Sequence, residues 1–139
     1  EITTRLVGSE MCIRDSYATP GGNVHWERIL SDILEQIPKN ESFSYRVFDC
    51  GVMDLGDAVQ VTPKTLNILE GSYSTHPELI GRYDLKIFLK TSPETQSARI
   101  LKRNGPARHK MFVEKWIPLE NLYFTSYPVE KQCDLVFTT

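Results

Sequence analysis

Residues 83–106 read YDLKIFLKTSPETQSARILKRNGP, and this stretch decides the fold class. Residues 85–89 form a short apolar run with the length and composition of a strand. Ser92 follows as a helix cap, with Pro93 at the first helical position, where a missing N–H leaves no bond unmade. The helix this predicts runs to about Arg103 and is stopped by Asn104-Gly105-Pro106. A strand running straight into a capped helix is the repeating unit of a parallel sheet covered by helices.

Outward from that unit the alternation continues. Asn23 reads as an N-cap before Val24, Trp26, Ile29, Leu30, Ile33, Leu34 and Ile37, which recur at helical spacing, and Pro38 is expected to close the segment. Short strands are predicted over 43–48 and 59–61, around a turn-rich stretch holding Gly51, Gly56 and Asp57. Another apolar strand is predicted over 65–69 and ends abruptly in Glu70-Gly71. Downstream, helices are expected over roughly 108–116 and 119–124, and a last strand over 135–137. The expected class is α/β, without internal repeats or low-complexity linkers.

Composition narrows the function. A chain of 139 residues has room for one domain, and 40% hydrophobic with 24% charged residues is an ordinary globular composition. The formal net charge is −2, with no basic stripe of the kind a nucleic-acid binder carries. No apolar run approaches the length of a membrane span. Cys12, Cys50 and Cys133 are scattered, with neither metal-ligand spacing nor a disulfide framework, as expected of a cytoplasmic protein.

The N-terminus reads differently. Residues 6–15, LVGSEMCIRD, with Ser16 next, resemble a translated sequencing adapter: CTC GTG GGC TCG GAG ATG TGT ATA AGA GAC encodes the same string. Residues 1–16 are therefore set aside from the fold as adapter-derived. The domain itself is expected to occupy residues 17–139.

Two constellations carry chemistry. In LNILEGSYSTHP, residues 66–77, Glu70 stands at a strand end where a carboxylate can reach a metal ion or its water shell, and Gly71 lets the chain approach a phosphate. A strand-end glutamate before glycine is also common in α/β proteins. In QSARILKRNGPARHK, residues 96–110, Arg99 and Arg103 are four apart and share one helix face. Arg108 and Lys110 follow beyond the Gly-Pro break. Clustered cations beside a glycine hinge suit a lid that closes over a polyphosphate, and they equally suit a solvated helix face. Trp26 and Trp116 read as packing anchors, His76 as a loop residue and Cys133 as a buried, inert thiol.

These residues resemble a family. EGSYSTHPEL, YDLKIFL, QSARILKRNG, WIPLENLYF and CDLVF, with PGGNVHWERI and FSYRVFDC upstream, look like the uridine kinase-like P-loop kinases. The likeness spans about residues 17–137. It implies a partial P-loop kinase fold with a small β-hairpin insertion and a helical lid, ATP and Mg2+ as cofactors, and phosphorylation of a nucleoside 5′-hydroxyl. By the same resemblance Glu70 lies near the magnesium and phosphates. Arg99 and Arg103 approach the transferring phosphoryl group; Arg108 and Lys110, from the charge cluster itself, are expected to bind phosphate beside them. Tyr45 sits beside the nucleoside, and Cys50 falls near a histidine that touches the base in uridine kinases. The ribose-holding aspartate of the family has no counterpart in PGGNVHW, where Asn23 or His25 would have to serve. Other ribosides or a phosphorylated sugar, as in phosphoribulokinases, remain open as acceptors, and so does a non-catalytic nucleotide-binding domain.

One element of the pattern is missing. No GxxxxGK[ST] string, whose amides and lysine cradle the β- and γ-phosphates, occurs in the sequence. The upstream acidic pair that supplies the general base is missing too. The expectation is a C-terminal part of a kinase, inactive by itself.

Overall fold

The computed structural model describes residues 2–5, 18–49 and 52–139, the first four through their backbone alone. The chain divides into two compact units, 1–82 and 83–139, and each is described by itself.

In the first unit, strand β1 (Ile2–Arg5) pairs in parallel with β4 (Asn67–Glu70), Ile2 opposite Asn67 and Arg5 opposite Glu70. These four residues fall within the segment set aside in the sequence; the adapter-like string that follows them lies outside the described residues. Helix α1 (Trp26–Ile29) runs into a π-helical turn over Leu30–Leu34, where the Glu35 N–H donates to the Leu30 carbonyl at 2.9 Å. Ile29 and Ile33, four apart on one face, are buried together with Val24. Full burial of each such side chain is worth about 1.5–3 kcal/mol. The cap differs from expectation. His25, not Asn23, begins the helix, and its Nδ1 accepts the Arg28 N–H at 3.3 Å. Nor does Pro38 close the segment: it lies inside a 3-10 turn, Ile37–Lys39, a position that needs no proline N–H. Asn40, left-handed at φ 55°, ends the turn instead.

The hairpin is longer than its sequence signal. β2 (Phe43–Asp49) and β3 (Asp54–Val61) are antiparallel, with Phe43 opposite Val61 and Tyr45 opposite Val59. Tyr45, Phe48 and Val61 are buried. The register slips between Arg46 and Phe48. The Arg46 guanidinium spans the slip, donating from Nε to the Gly56 carbonyl at 2.8 Å and from Nη2 to the Leu55 carbonyl at 2.6 Å. Glycine at 56 avoids a tight contact, because a Cβ there would stand 3.2 Å from the Val47 carbonyl oxygen. Arg28 ties α1 to this hairpin by donating to the Arg46 carbonyl at 2.6 Å. The polar residues of β3, Asp54, Asp57 and Gln60, are exposed, which is why only its end was legible as an apolar run.

The second unit opens with β5 (Ile87–Lys90), parallel to β6 (Leu135–Thr138), with Ile87 opposite Leu135 and Leu89 opposite Phe137. Between them runs α2 (Pro93–Met111), capped as predicted by Ser92, whose hydroxyl accepts the Thr95 N–H at 3.2 Å. The predicted break is present. Gly105 stands at φ 76°, ψ 171°, a region essentially closed to other residues, and Pro106 disfavours helical backbone at the residue before it. Beyond the break the chain stays helical through a π turn at Phe112–Trp116 into α3 (Ile117–Ser126) and the short α4 (Val129–Gln132). Phe88 meets Phe124 of α3 edge-on, centroids 5.4 Å apart, so α3 packs on one face of the ribbon at Phe88, while Val136 opposite it stays exposed. Ile87, Leu89, Leu135 and Phe137 share the other face and stay substantially exposed.

The fold is thus mixed helix and strand, compatible with an α/β class. Where the sequence predicts one parallel sheet with a small β-hairpin insertion, the described residues form the antiparallel hairpin β2–β3 and two separate two-stranded parallel pieces. Four-residue parallel strands have few ladder bonds each, and apolar parallel strands ordinarily sit inside a larger sheet with both faces covered. No helix of the described residues is long and apolar enough to cross a membrane.

Candidate functional site

The sequence-predicted site residues divide between the two units. In the first, Glu70 is the last residue of β4 and is exposed, with Gly71 at φ 156° directly after it. Its carboxylate therefore stands at the carboxyl end of a parallel strand, where ligands of α/β sheets bind. Among the described residues no group of three or more His, Cys, Asp or Glu is arranged to hold a metal. A carboxylate at this position is of the kind that can serve Mg2+, which is commonly held by one or two carboxylates with substrate phosphates and waters completing the shell.

Asn23 and His25 take different roles. His25 is half-buried and engaged: Nδ1 receives the Arg28 amide, and the same atom lies 3.5 Å from Glu27 Oε2. An Nδ1 that accepts an amide proton cannot also donate to a carboxylate, so in the neutral ring the cap is the contact the geometry supports. Asn23 is 1% exposed, and among the described residues its side-chain Nδ2 has no hydrogen-bond partner. A buried donor left unmade costs about 1–3 kcal/mol. Tyr45, expected beside a nucleoside, has its side chain packed in the hairpin at 7% exposure. Cys50 lies outside the described residues.

The segment after Gly71 holds a contact the sequence did not announce. Trp26 of α1 and His76 stack with centroids 5.7 Å apart and planes 12° from parallel. His76 is buried, and its Nδ1 accepts the Glu78 N–H at 3.3 Å. Burial pushes its pKa below the ordinary imidazole value, against the opposing charges of Glu78 and Glu27. Read singly, Trp26 is a packing anchor and His76 a loop residue, and nothing in their spacing pairs them.

In the second unit all four predicted cations are exposed. Arg99 and Arg103 lie on α2 before the break, Arg108 and Lys110 after it. Arg99 donates from Nη1 to Thr139 Oγ1 at 3.0 Å, and Arg103 from Nε to the side chain of Asn104 at 2.8 Å. Lys110 stands 3.8 Å from Glu114, an exposed i,i+4 pair of small worth. Arg108 has no ion pair among the described residues. Each arginine keeps donors in hand, and a guanidinium fork suits a phosphate better than a point charge does.

Two polar contacts hold the chain beyond the break against the start of α2. Ser97 Oγ and His109 Nε2 are 2.7 Å apart, and Gln96 Nε2 donates to Glu120 Oε2 of α3 at 3.0 Å. Sequence reasoning missed both. The available signal was a Gly-Pro break between two helical stretches, which permits the chain to double back.

No protein-family model matches this sequence, and no curated protein matches it either.

Proposed function

We propose that the chain is part of a P-loop small-molecule kinase that transfers the γ-phosphoryl group of ATP to the 5′-hydroxyl of a nucleoside. The observation that carries this reading is the arrangement of Arg99, Arg103, Arg108 and Lys110. Four exposed cations flank a helix break fixed by Gly105-Pro106, with guanidinium donors uncommitted. The likeness of the ordered motifs to uridine kinases supplies the chemistry such a cationic lid would serve. In the transfer, the acceptor oxygen bonds to the γ-phosphorus, the bond to the β–γ bridging oxygen breaks, and ADP leaves. Little covalent work falls to the protein; it positions and neutralises. Arg99 and Arg103 would offset charge on the transferring group, and Glu70 would help hold Mg2+, which would supply further neutralisation of phosphate charge. The buried Asn23 Nδ2, without a partner among the described residues, is in keeping with a hydrogen bond to a substrate oxygen. The lysine and amide cradle of a P-loop are not in this sequence, so the chain alone should not turn over.

The test restores the native upstream sequence and measures ADP release against a panel of nucleosides, other ribosides and phosphorylated sugars with ATP and Mg2+. Turnover confined to nucleosides is expected. Turnover with none of them rejects the kinase reading. A second reading, a non-catalytic nucleotide-binding domain, draws on the absence of GxxxxGK[ST] from the sequence. Upstream genomic DNA decides between them: a P-loop followed by an acidic pair supports the kinase, and intact DNA without one supports the binding domain.

A further inference from the structure

A continuous α-helix would place Ser97 and His109 roughly 18 Å apart along its axis, twelve residues at 1.5 Å each. They are hydrogen-bonded at 2.7 Å. The segment after Gly105 is therefore folded back against the first part of α2, and the covalent chain alone does not dictate that closure. Gly105 and Pro106 encode a break; they do not encode how far the second segment swings. A Cβ at Gly105 would meet nothing within 4 Å, so neighbouring atoms do not pin the break either. The Ser97–His109 contact is partly buried and acts only four residues beyond the break. Gln96–Glu120 acts much further along, on α3.

His109 also sits between Arg108 and Lys110. At 100° per residue, a helix that turns His109 inward sends its two neighbours to opposite flanks. Both are exposed, while His109 is half-buried. We propose that the Ser97–His109 hydrogen bond is a latch. It holds residues 106–111 folded back on the first part of α2, before Gly105, and thereby fixes where Arg108 and Lys110 are presented. Ser97 and His109 are positioning residues: neither is asked to touch a ligand, and their effect passes through the two cations. The use of the latch for gating a polyphosphate rests on the kinase reading above; the latch itself does not.

Hydrogen exchange on the 139-residue chain tests it. Ser97→Ala and His109→Ala should each speed amide exchange across residues 106–111 by roughly fivefold, the scale of one lost side-chain hydrogen bond. Exchange over 93–104 and in β5 and β6 should stay as in the parent. Ser97→Thr keeps the hydroxyl, and His109→Gln places an amide near the Nε2 position; both should restore slow exchange. Unchanged exchange in the alanine variants, faster exchange spread evenly over 83–139, or failure of both conservative variants to rescue would each overturn the latch. Inorganic tripolyphosphate provides a separate arm. Slower exchange over 106–111 on its addition supports the polyphosphate role, and no response with the latch result intact counts against that role alone.

Discussion

The indole of Trp26 and the imidazole of His76 lie stacked, 5.7 Å between centroids and 12° from parallel, and so join α1 to the segment after Gly71. Because burial depresses the His76 pKa, the folded chain resists protonation at this ring more than the unfolded chain does. The unfolded state then binds more protons, and stability rises with pH. This contribution is fully present above the ordinary imidazole value of 6.5 and is lost as pH falls below it towards the folded value. Thermal midpoints between about pH 8 and pH 5 should therefore fall towards acid. His76→Asn, which keeps an acceptor near the Nδ1 position for the Glu78 amide but does not titrate, should flatten that slope. An unchanged slope in this variant would assign the acid sensitivity elsewhere.

A second relationship sets the register of β5 and β6. Asp134 Oδ2 accepts the Lys86 backbone N–H at 2.7 Å and lies 3.2 Å from the Lys86 ammonium. The Lys86 amide, followed by the Lys86 side chain, holds the Asp134 carboxyl below its ordinary value. The linked stability is present above that ordinary value and is lost as pH falls through the folded one. Asp134→Ala should speed amide exchange at the start of both strands. Asp134→Asn, which keeps an acceptor for the amide and loses only the charge, should do so less. Equal effects would mean that the exposed ion pair, rather than the amide bond, sets the register.

Legibility followed the reach of the forces involved. The Ser92 cap, Pro93 and the Gly105-Pro106 break are local, and each was readable from neighbouring residues. The Asn23 cap was misassigned because asparagine and histidine two residues apart both present an acceptor, and tertiary burial drew Asn23 inward. The extent of β3 was hidden because a hairpin exposed on one side admits Asp57 and Gln60 without losing its ladder. Among candidate site residues, Glu70 was placed by its strand end and the cations by helical spacing. The Trp26–His76 stack and the Ser97–His109 bond join residues far apart in sequence, and no local pattern encodes either.

Gly105 offers a sharper mutational test of the break. Its φ of 76° with ψ of 171° belongs to a region essentially restricted to glycine, and strain of that kind costs about 1–3 kcal/mol. Open space around the position removes steric collision as a confounding cause. Gly105→Ala should lower stability by about that amount on urea unfolding, with its largest effect on exchange over residues 106–116. A neutral Gly105→Ala would show that the break relaxes into another conformation at no cost.

The last prediction concerns catalysis and is made of the parent kinase that the proposed function invokes. Arg99 and Arg103 are exposed on α2, each with one side-chain hydrogen bond and further N–H donors uncommitted among the described residues. Groups that act chiefly on charge developing in the transition state lower kcat when removed, whereas uniform binding groups raise KM. Replacing either arginine with alanine should therefore lower kcat more than it raises the acceptor KM, by up to ~10³-fold for an arginine in this role. Lysine should rescue in part, because it restores charge without the bidentate fork. Tyr45 calls for a different substitution. With its side chain 7% exposed in the hairpin, truncation to alanine would open a cavity costing about 3–5 kcal/mol and confuse folding with binding. Tyr45→Phe keeps the ring and removes only the hydroxyl, so a rise in acceptor KM at constant kcat would place that hydroxyl on the substrate. Near-parental kcat in both arginine variants would leave α2 with a merely solvated face, and the kinase reading would lose the observation that carries it.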